Sequence, residues 1–327
     1  MAGRRQSKAS QELIVAVIAG TLFVLFFATQ PVFRTPSNLL SLLQNVSILG
    51  ILGVGMALSI IGRGIDLSIV TVMAMSSAWV FQLLNLGLPL PAALAAGLLL
   101  SVAVGVVSGV LIAFLEVPAI FATLAVATVN YGFVRALLLD DNQVYLKADV
   151  PAWFHDIGTG AMLGVPNPVL MFAAVCLLVH LFLRYDISGR FLYAMGENPT
   201  AARITGIGNR PLILLQYTIS AVIGFVAGLI LASTIGSVET RVARGTMVYD
   251  VILVAVIGGV GLSGGKGGVR NVLIGTALIG VMLNGMTILN TPYHLQNIIK
   301  SIVLMLAILA DSMLNPRDEQ TSQQGDI

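Results

Sequence analysis

The chain has 327 residues, 57% of them hydrophobic and 10% charged, with a mean hydropathy of +0.95. Soluble domains carry about 25% charged residues, so a soluble globular fold is excluded and a polytopic membrane protein remains. A net charge of +2, without basic patches interleaved with aromatics, argues against a nucleic-acid partner, and the single Cys176, set in an apolar run, leaves no disulfide framework or cysteine metal site.

Arg4, Arg5 and Lys8 precede an apolar run from Leu13 to Thr29. The run is of spanning length and no small-x-small cleavage site follows before Gln30 and Pro31, so it reads as an uncleaved first span. Further apolar segments run from Val46 to Ile61, Leu67 to Leu86, Leu90 to Phe114 and Ala119 to Leu139. After a polar stretch from Asp140 to Asn167 come Val169 to Leu183, Leu212 to Ile235, Met247 to Ile257, Val269 to Leu289 and Ile298 to Leu314. With about 17–25 residues per span as the criterion, residues 1–327 form one all-α transmembrane domain of about ten helices.

Starting inside, ten spans put the N-terminus, Arg63, Arg184, Arg190, Arg203, Arg210, Lys266, Arg270 and Arg317 on the cytoplasmic side. Arg34, Arg135, Lys147, Arg241, Arg244 and Lys300 are left for the outer side or the span ends. Most of the 17 basic residues are then inside, as the positive-inside rule requires. Both termini and the loop 184–210 are therefore expected in the cytoplasm, and 140–167 outside. The outer segment, with Asp140, Asp141, Lys147, Asp149, Trp153, His155 and Asp156, reads either as a solvated connector or as a landing surface for an external protein.

Small residues at helical spacing, Ser101, Gly105 and Gly109 in one span and Gly224 and Gly228 in another, predict close helix packing. Two glycine-rich polar interruptions, Ile61-Gly-Arg-Gly-Ile-Asp-Leu-Ser68 and Ile257-Gly-Gly-Val-Gly-Leu-Ser263, resemble each other with one gap. They suggest an internal duplication and fit transporters whose broken helices surround a path.

The loop 184–210 contains Gly196-Glu197-Asn198-Pro199-Thr200-Ala201-Ala202-Arg203-Ile204-Thr205-Gly206. Asn198 can cap a helix, Pro199 suits its first position and Gly206 supplies a left-handed exit, which predicts about two turns of helix in solvent. A capped helix between spans suits docking.

The segment from Gly258 to Gly268 matches several enzyme motifs superficially. Gly259, Gly261 and Gly264 form G-x-G-x-x-G, but no strand-helix unit surrounds them and no acidic residue follows about twenty positions on. Gly265-Lys266 resembles a P-loop, yet Val260 and Gly267 occupy its required glycine and Ser/Thr positions, so the chain is not expected to hydrolyse ATP. Gly261-Leu-Ser263-Gly-Gly265 fits G-x-S-x-G, with His294 and Asp311 downstream, but topology puts Ser263 and His294 on opposite sides of the bilayer.

Asp66 follows Arg63 by three residues, which suits either a structural pair or a pathway carboxylate coupled to an ion. Asn45, Thr123, Thr128, Asn130, Asn284 and Asn290 put polar side chains within or at the ends of spans, beside aromatics such as Phe121 and Tyr131. Such neutral groups suit polyol ligands or interhelical hydrogen bonds. His155 and His180 have no companions at ligand spacing, so no metal site is read here.

Four ordered islands resemble the permease subunit of bacterial ATP-binding-cassette sugar importers, in the ribose and monosaccharide branch. Gly64-Ile-Asp-Leu-Ser68 resembles the family's G-G-I-D-L-S-V-G, and Pro118-Ala-Ile-Phe-Ala-Thr-Leu124 its P-A-F-I-A-T-L. Gly196 to Ile207 resembles the loop ending in A-A-R-L-S-G-I, and Gly258 to Gly267 its glycine-rich segment. Arg63 stands where the family has glycine, and Ile69-Val70 replaces Val-Gly. The resemblance implies a multi-pass protein of the bacterial inner membrane that takes sugar from a periplasmic binding protein. It also implies pairing with a second permease copy or paralogue, and drive from a cytoplasmic ATPase that itself uses ATP and magnesium. Glu197 to Gly206 then becomes the coupling helix. Read from the residues themselves, Asn45, Asp66, Ser68, Phe121, Thr123, Asn130 and Asn284 are candidate pathway residues and Gly64, Gly258, Gly259, Gly261, Gly264 and Gly265 candidate gating glycines, with lipid the remaining partner and no cofactor expected on this chain.

Overall fold

Thirteen helices dominate the computed structural model, which describes the backbone of residues 3–314 and the side chains of residues 12–309 and 312. Arg317 and the side chains of Arg4, Arg5, Lys8 and Asp311 lie outside the described residues. In chain order come α1 Gly3–Thr29, α2 Pro36–Ile61, α3 Ile69–Asn85, α4 Leu90–Ala113 and α5 Ala119–Leu137. The segment that follows holds β1 Gln143–Tyr145, α6 Ala152–Thr159, β2 Ala161–Met162 and β3 Val165–Pro166. Then come α7 Asn167–Tyr185, α8 Ile187–Glu197, α9 Pro199–Ile204 and α10 Asn209–Ile235. β4 Ser237–Glu239 and a 3-10 helix, Thr240–Arg244, lead to α11 Met247–Ile257, α12 Val269–Ile288 and α13 Tyr293–Leu314.

Among the described residues, seven helices (α1, α2, α4, α5, α7, α10 and α12) are long and apolar enough to cross a membrane, while α3, α11 and the described part of α13 are shorter apolar helices. Helices that are apolar all round belong in the interior or against lipid, and burial separates the two cases. Residues Ser47 to Ile61 of α2 are all buried, and α10, α12, α7 and α11 pack around them. α1, only 11% buried over its apolar stretch, lies outside against α12.

The small-residue spacing does what helix packing in lipid requires. A Cβ on Gly105 would sit 2.7 Å from the Thr218 Cα and one on Gly109 2.8 Å from the Leu214 Cα, so α4 and α10 meet backbone to backbone.

The stretch 140–167 is more structured than a polar connector. β1 pairs antiparallel with β4, Gln143 opposite Glu239. Asn85 at the end of α3 donates to the Tyr145 carbonyl at 2.8 Å and accepts from the Lys147 amide at 2.8 Å. Phe154 is wholly buried against Phe81, and the Arg244 guanidinium lies 4.0 Å over the Tyr131 ring. Arg135 of α5 donates to the Asn142 side-chain oxygen at 2.9 Å and α6 packs on α10, so the segment is fastened over one end of α3, α5 and α10.

Candidate functional site

At the opposite end of the bundle, α8 and α9 are built from local caps. Asp186 starts α8 by accepting the Ser188 amide at 2.8 Å, and that N–H holds its carboxyl below the ordinary carboxylate pKa. Asn198 serves both helices: its own amide donates to the Ala194 carbonyl at 3.1 Å, and its side-chain oxygen accepts the Ala201 amide at 2.9 Å. Pro199 takes the first position of α9, Gly206 leaves with φ +86°, and Asn209 donates to the Pro199 carbonyl at 3.0 Å.

The short helix has six residues, and Glu197 belongs to α8 instead, because Asn198 at φ −152°, ψ 101° separates the two. Ala202 is the buried anchor of α9. Glu197, Ala201 and Arg203 are exposed and Ile204 is 80% exposed, so a two-point-capped helix presents one large apolar side chain outward. Thr200 lies half-buried beside them.

Directly beneath, three chain segments approach one another backbone to backbone. α2 ends at Ile61, and its carbonyl accepts the Gly265 amide at 2.8 Å. A Cβ on Gly265 would sit 2.7 Å from the amide nitrogen and Cα of Glu197, and one on Gly264 2.7 Å from the Gly196 carbonyl oxygen and 3.0 Å from the Arg63 Cβ. A Cβ on Gly196 would strike the Ile61 carbonyl. Gly264 and Gly265 also have φ of +82° and +67°, a region that costs other residues about 1–2 kcal/mol. Tyr193 of α8 donates to the Gly267 carbonyl at 2.8 Å, and Asn271 closes the other end of the glycine segment by donating to the Gly258 carbonyl at 2.8 Å. Gly259 turns at φ +98°, while Gly261 lies against Lys266.

The break between α2 and α3 holds a buried carboxylate. One oxygen of Asp66 accepts the Ser68 amide at 2.9 Å and the Ser68 hydroxyl at 2.6 Å; the other accepts the Ser220 hydroxyl of α10 at 2.7 Å. Charge out of water is tolerated only where such donors converge. Thr123 of α5 accepts the Leu67 amide at 3.1 Å and lies 3.1 Å from the Ile65 carbonyl, clamping the same turn. Gln216 and Tyr217 fill the space a side chain would need at Gly62 and Gly64. Arg63 turns away with φ +71° toward Gly264.

Asp66, Ser68, Thr123 and Gly64 are thus brought together, and the other candidates are not. Asn130 is buried, and neither its side-chain oxygen nor its nitrogen has a hydrogen-bond partner. Asn284 exchanges two hydrogen bonds with Asn38, 3.0 and 3.1 Å, tying α12 to α2. Asn45 and Phe121 are exposed, Phe121 by 67%. Ser263 and His294 are separated by the 20-residue α12, about 30 Å of helix, too far for nucleophile and base. Ser220, Gln216 and Tyr217 complete the Asp66 turn although their sequence surroundings are an ordinary apolar span.

Residues 38–308 match the family of branched-chain amino acid transport system permease components. The chain is 32% identical to the ribose import permease of Escherichia coli (strain K12) over 306 residues, 92% of this chain and 93% of that one. It is 32% identical to the ribose import permease of Bacillus subtilis (strain 168) over 290 residues, 89% of each chain. The L-arabinose ABC transporter permease of Azospirillum brasilense is 29% identical over 300 residues, 91% of this chain and 86% of that one. No solved structure matches.

Proposed function

The chain belongs to the family of branched-chain amino acid transport system permease components, and from that premise we propose that it is the membrane permease of a binding-protein-dependent ATP-binding-cassette importer for a monosaccharide or related polyol. The curated relatives, named for ribose and L-arabinose, favour a sugar over an amino acid as cargo. The seven long helices with α3, α11 and α13 make ten crossings in a bacterial inner membrane, both termini inside. At 17 residues α3 spans only about 26 Å, short of the roughly 30 Å hydrocarbon core, because the glycine break continues the path at its start.

The observation that carries the mechanism is the meeting of Gly196 and Glu197, Gly264 and Gly265, and the Ile61 carbonyl. A separate ATPase, which holds the nucleotide and magnesium, closes against α9 through Ala201, Arg203 and Ile204. Asn198 joins α9 to α8, so the push reaches the glycine segment through Gly196 and Glu197 and the end of α2 through Gly265. Side chains at these positions would cushion the contact; bare backbone transmits displacement to both helix breaks at once. The bundle, paired with a second copy or a related permease, then passes from outward-open to inward-open, releasing sugar delivered by a periplasmic binding protein. Such coupling requires the motor to bind α9 differently in the two states.

Asp66 as an ion-coupling carboxylate is the weaker reading, since serine donors already engage both of its oxygens. Site-directed cross-linking tests the interface: Ile204→Cys should form an adduct with a cytoplasmic ATPase whose yield changes when ATP is added. No adduct from Ile204→Cys or Arg203→Cys, with both proteins present, would remove the motor from this surface.

A further inference from the structure

A cavity of about 340 Å³ opens between α11 and α13, away from the coupling surface. Small-molecule sites begin at roughly 300 Å³, so one small ligand fits. Most of its wall is apolar, from residues such as Leu253, Leu304, Met305 and Ile308, and a few polar groups, among them Thr246, Asn297, Asp250 and Lys300, interrupt it, the pattern of small-molecule sites in which a few placed polar groups orient the ligand. The Lys300 ammonium donates to one Asp250 oxygen at 2.9 Å and lies 2.9 Å from the other, and the pair is about nine-tenths buried. Thr246 lies 3.1 Å from the Tyr293 hydroxyl and donates to the Asn297 side-chain oxygen at 3.4 Å.

A buried ion pair is a poor way to stabilise an apolar helix contact, because desolvating two charges offsets most of their attraction. Here it borders a cavity, which changes what it can do. The ammonium has a third N–H and each carboxylate oxygen a further lone pair. A donor and an acceptor thus stand side by side, the pattern that two neighbouring hydroxyls of a polyol satisfy, one donating and one accepting. The pair is neutral as a unit, so it selects against an anionic ligand, and the apolar wall suits the C–H face of a ring. The cavity lies at the end of α11 that follows β4 and the 3-10 helix, the end expected to face outward.

We propose that the cavity between α11 and α13 is a binding site for a neutral polyol, held by Asp250 and Lys300 with Asn297 beside them. The ligand class rests on the sugar-importer reading. The site is the first intramembrane stop for cargo entering from the outer side.

Ser301 lines the cavity and is exposed, which allows a direct test. In full-length chain in nanodiscs, with Cys176→Ala background and Ser301→Cys, maleimide labelling is timed with ribose, arabinose or galactose and with betaine as an osmotic control. At least one sugar should slow labelling threefold or more where betaine does not, and Asp250→Asn and Lys300→Met should abolish that protection. Asn297→Ala, which leaves the ion pair intact, should weaken it and serves if the charge variants fail to fold. No protection by any sugar, or protection by a short-chain lipid alone, would overturn the site. Sugar uptake by cells carrying the wild-type assembly is scored separately: its failure removes the importer reading, whereas lost protection with intact uptake removes only this site.

Discussion

The Gly265 amide and the Ile61 carbonyl, 2.8 Å apart, join the glycine segment before α12 to the last residue of α2, immediately under the joint between α8 and α9. Every nearby position that would add a Cβ, at Gly196, Gly264 and Gly265, is closed by backbone. The two helix breaks and the joint between α8 and α9 are therefore packed as one unit.

Gly265→Ala should disturb that unit. Its positive φ alone costs roughly 1–2 kcal/mol in a residue with a Cβ, before the 2.7 Å approach to Glu197 is relieved. A lower melting temperature and lost transport are expected. Gly20→Ala, with nothing within 4 Å of the new methyl, is the control and should behave as wild type.

Asn198→Ala removes the α9 cap, worth about 1 kcal/mol, whereas Asn198→Ser keeps an oxygen for the Ala201 amide. Hydrogen exchange at Ala201 should quicken several-fold in the first variant and little in the second. Equal exchange in both would mean that packing of Ala202, not the cap, holds the helix.

Ala201→Glu and Arg203→Glu alter the exposed face of α9 without touching its anchor. Transport should fall at least tenfold while ATP hydrolysis continues and affinity for the external binding protein stays within twofold. Undiminished transport in both would count against a motor contact.

Ser220→Ala takes a donor from a buried carboxylate, a loss of about 1.5–3 kcal/mol for a hydrogen bond to a charged group. Both it and Asp66→Asn should lower the melting temperature. Asp66→Asn with unchanged melting but abolished uptake would instead favour a coupling role for Asp66.

The short helix was legible in the sequence because its cap is local: Asn198, Pro199 and Gly206 act within eight positions of each other. The apolar helices were legible for the same reason, each being a continuous run. The contact of Ile61 with Gly265 was not, since it is made by backbone atoms far apart in the chain and leaves no complementary side chains to notice. The Asp250–Lys300 pair was hidden because its partners lie on different helices, 50 residues apart. The polar stretch 140–167, which reads from sequence as a connector or a landing surface, shows no strand there because β1 is too short to read without β4, which closes the pair from beyond α10. Among the pathway candidates, the run Gly64 to Ser68 located the buried turn, but nothing local distinguished Asn45, which is exposed, from Thr123, which is fully buried.

Reconstitution in liposomes separates a motor-driven permease from a gradient-driven one. The purified chain alone under a proton or sodium gradient should take up no sugar; adding a cognate ATPase, a sugar-binding protein and ATP should start uptake, and Arg203→Glu should stop it again. Gradient-driven uptake by this chain alone would show that transport needs no motor.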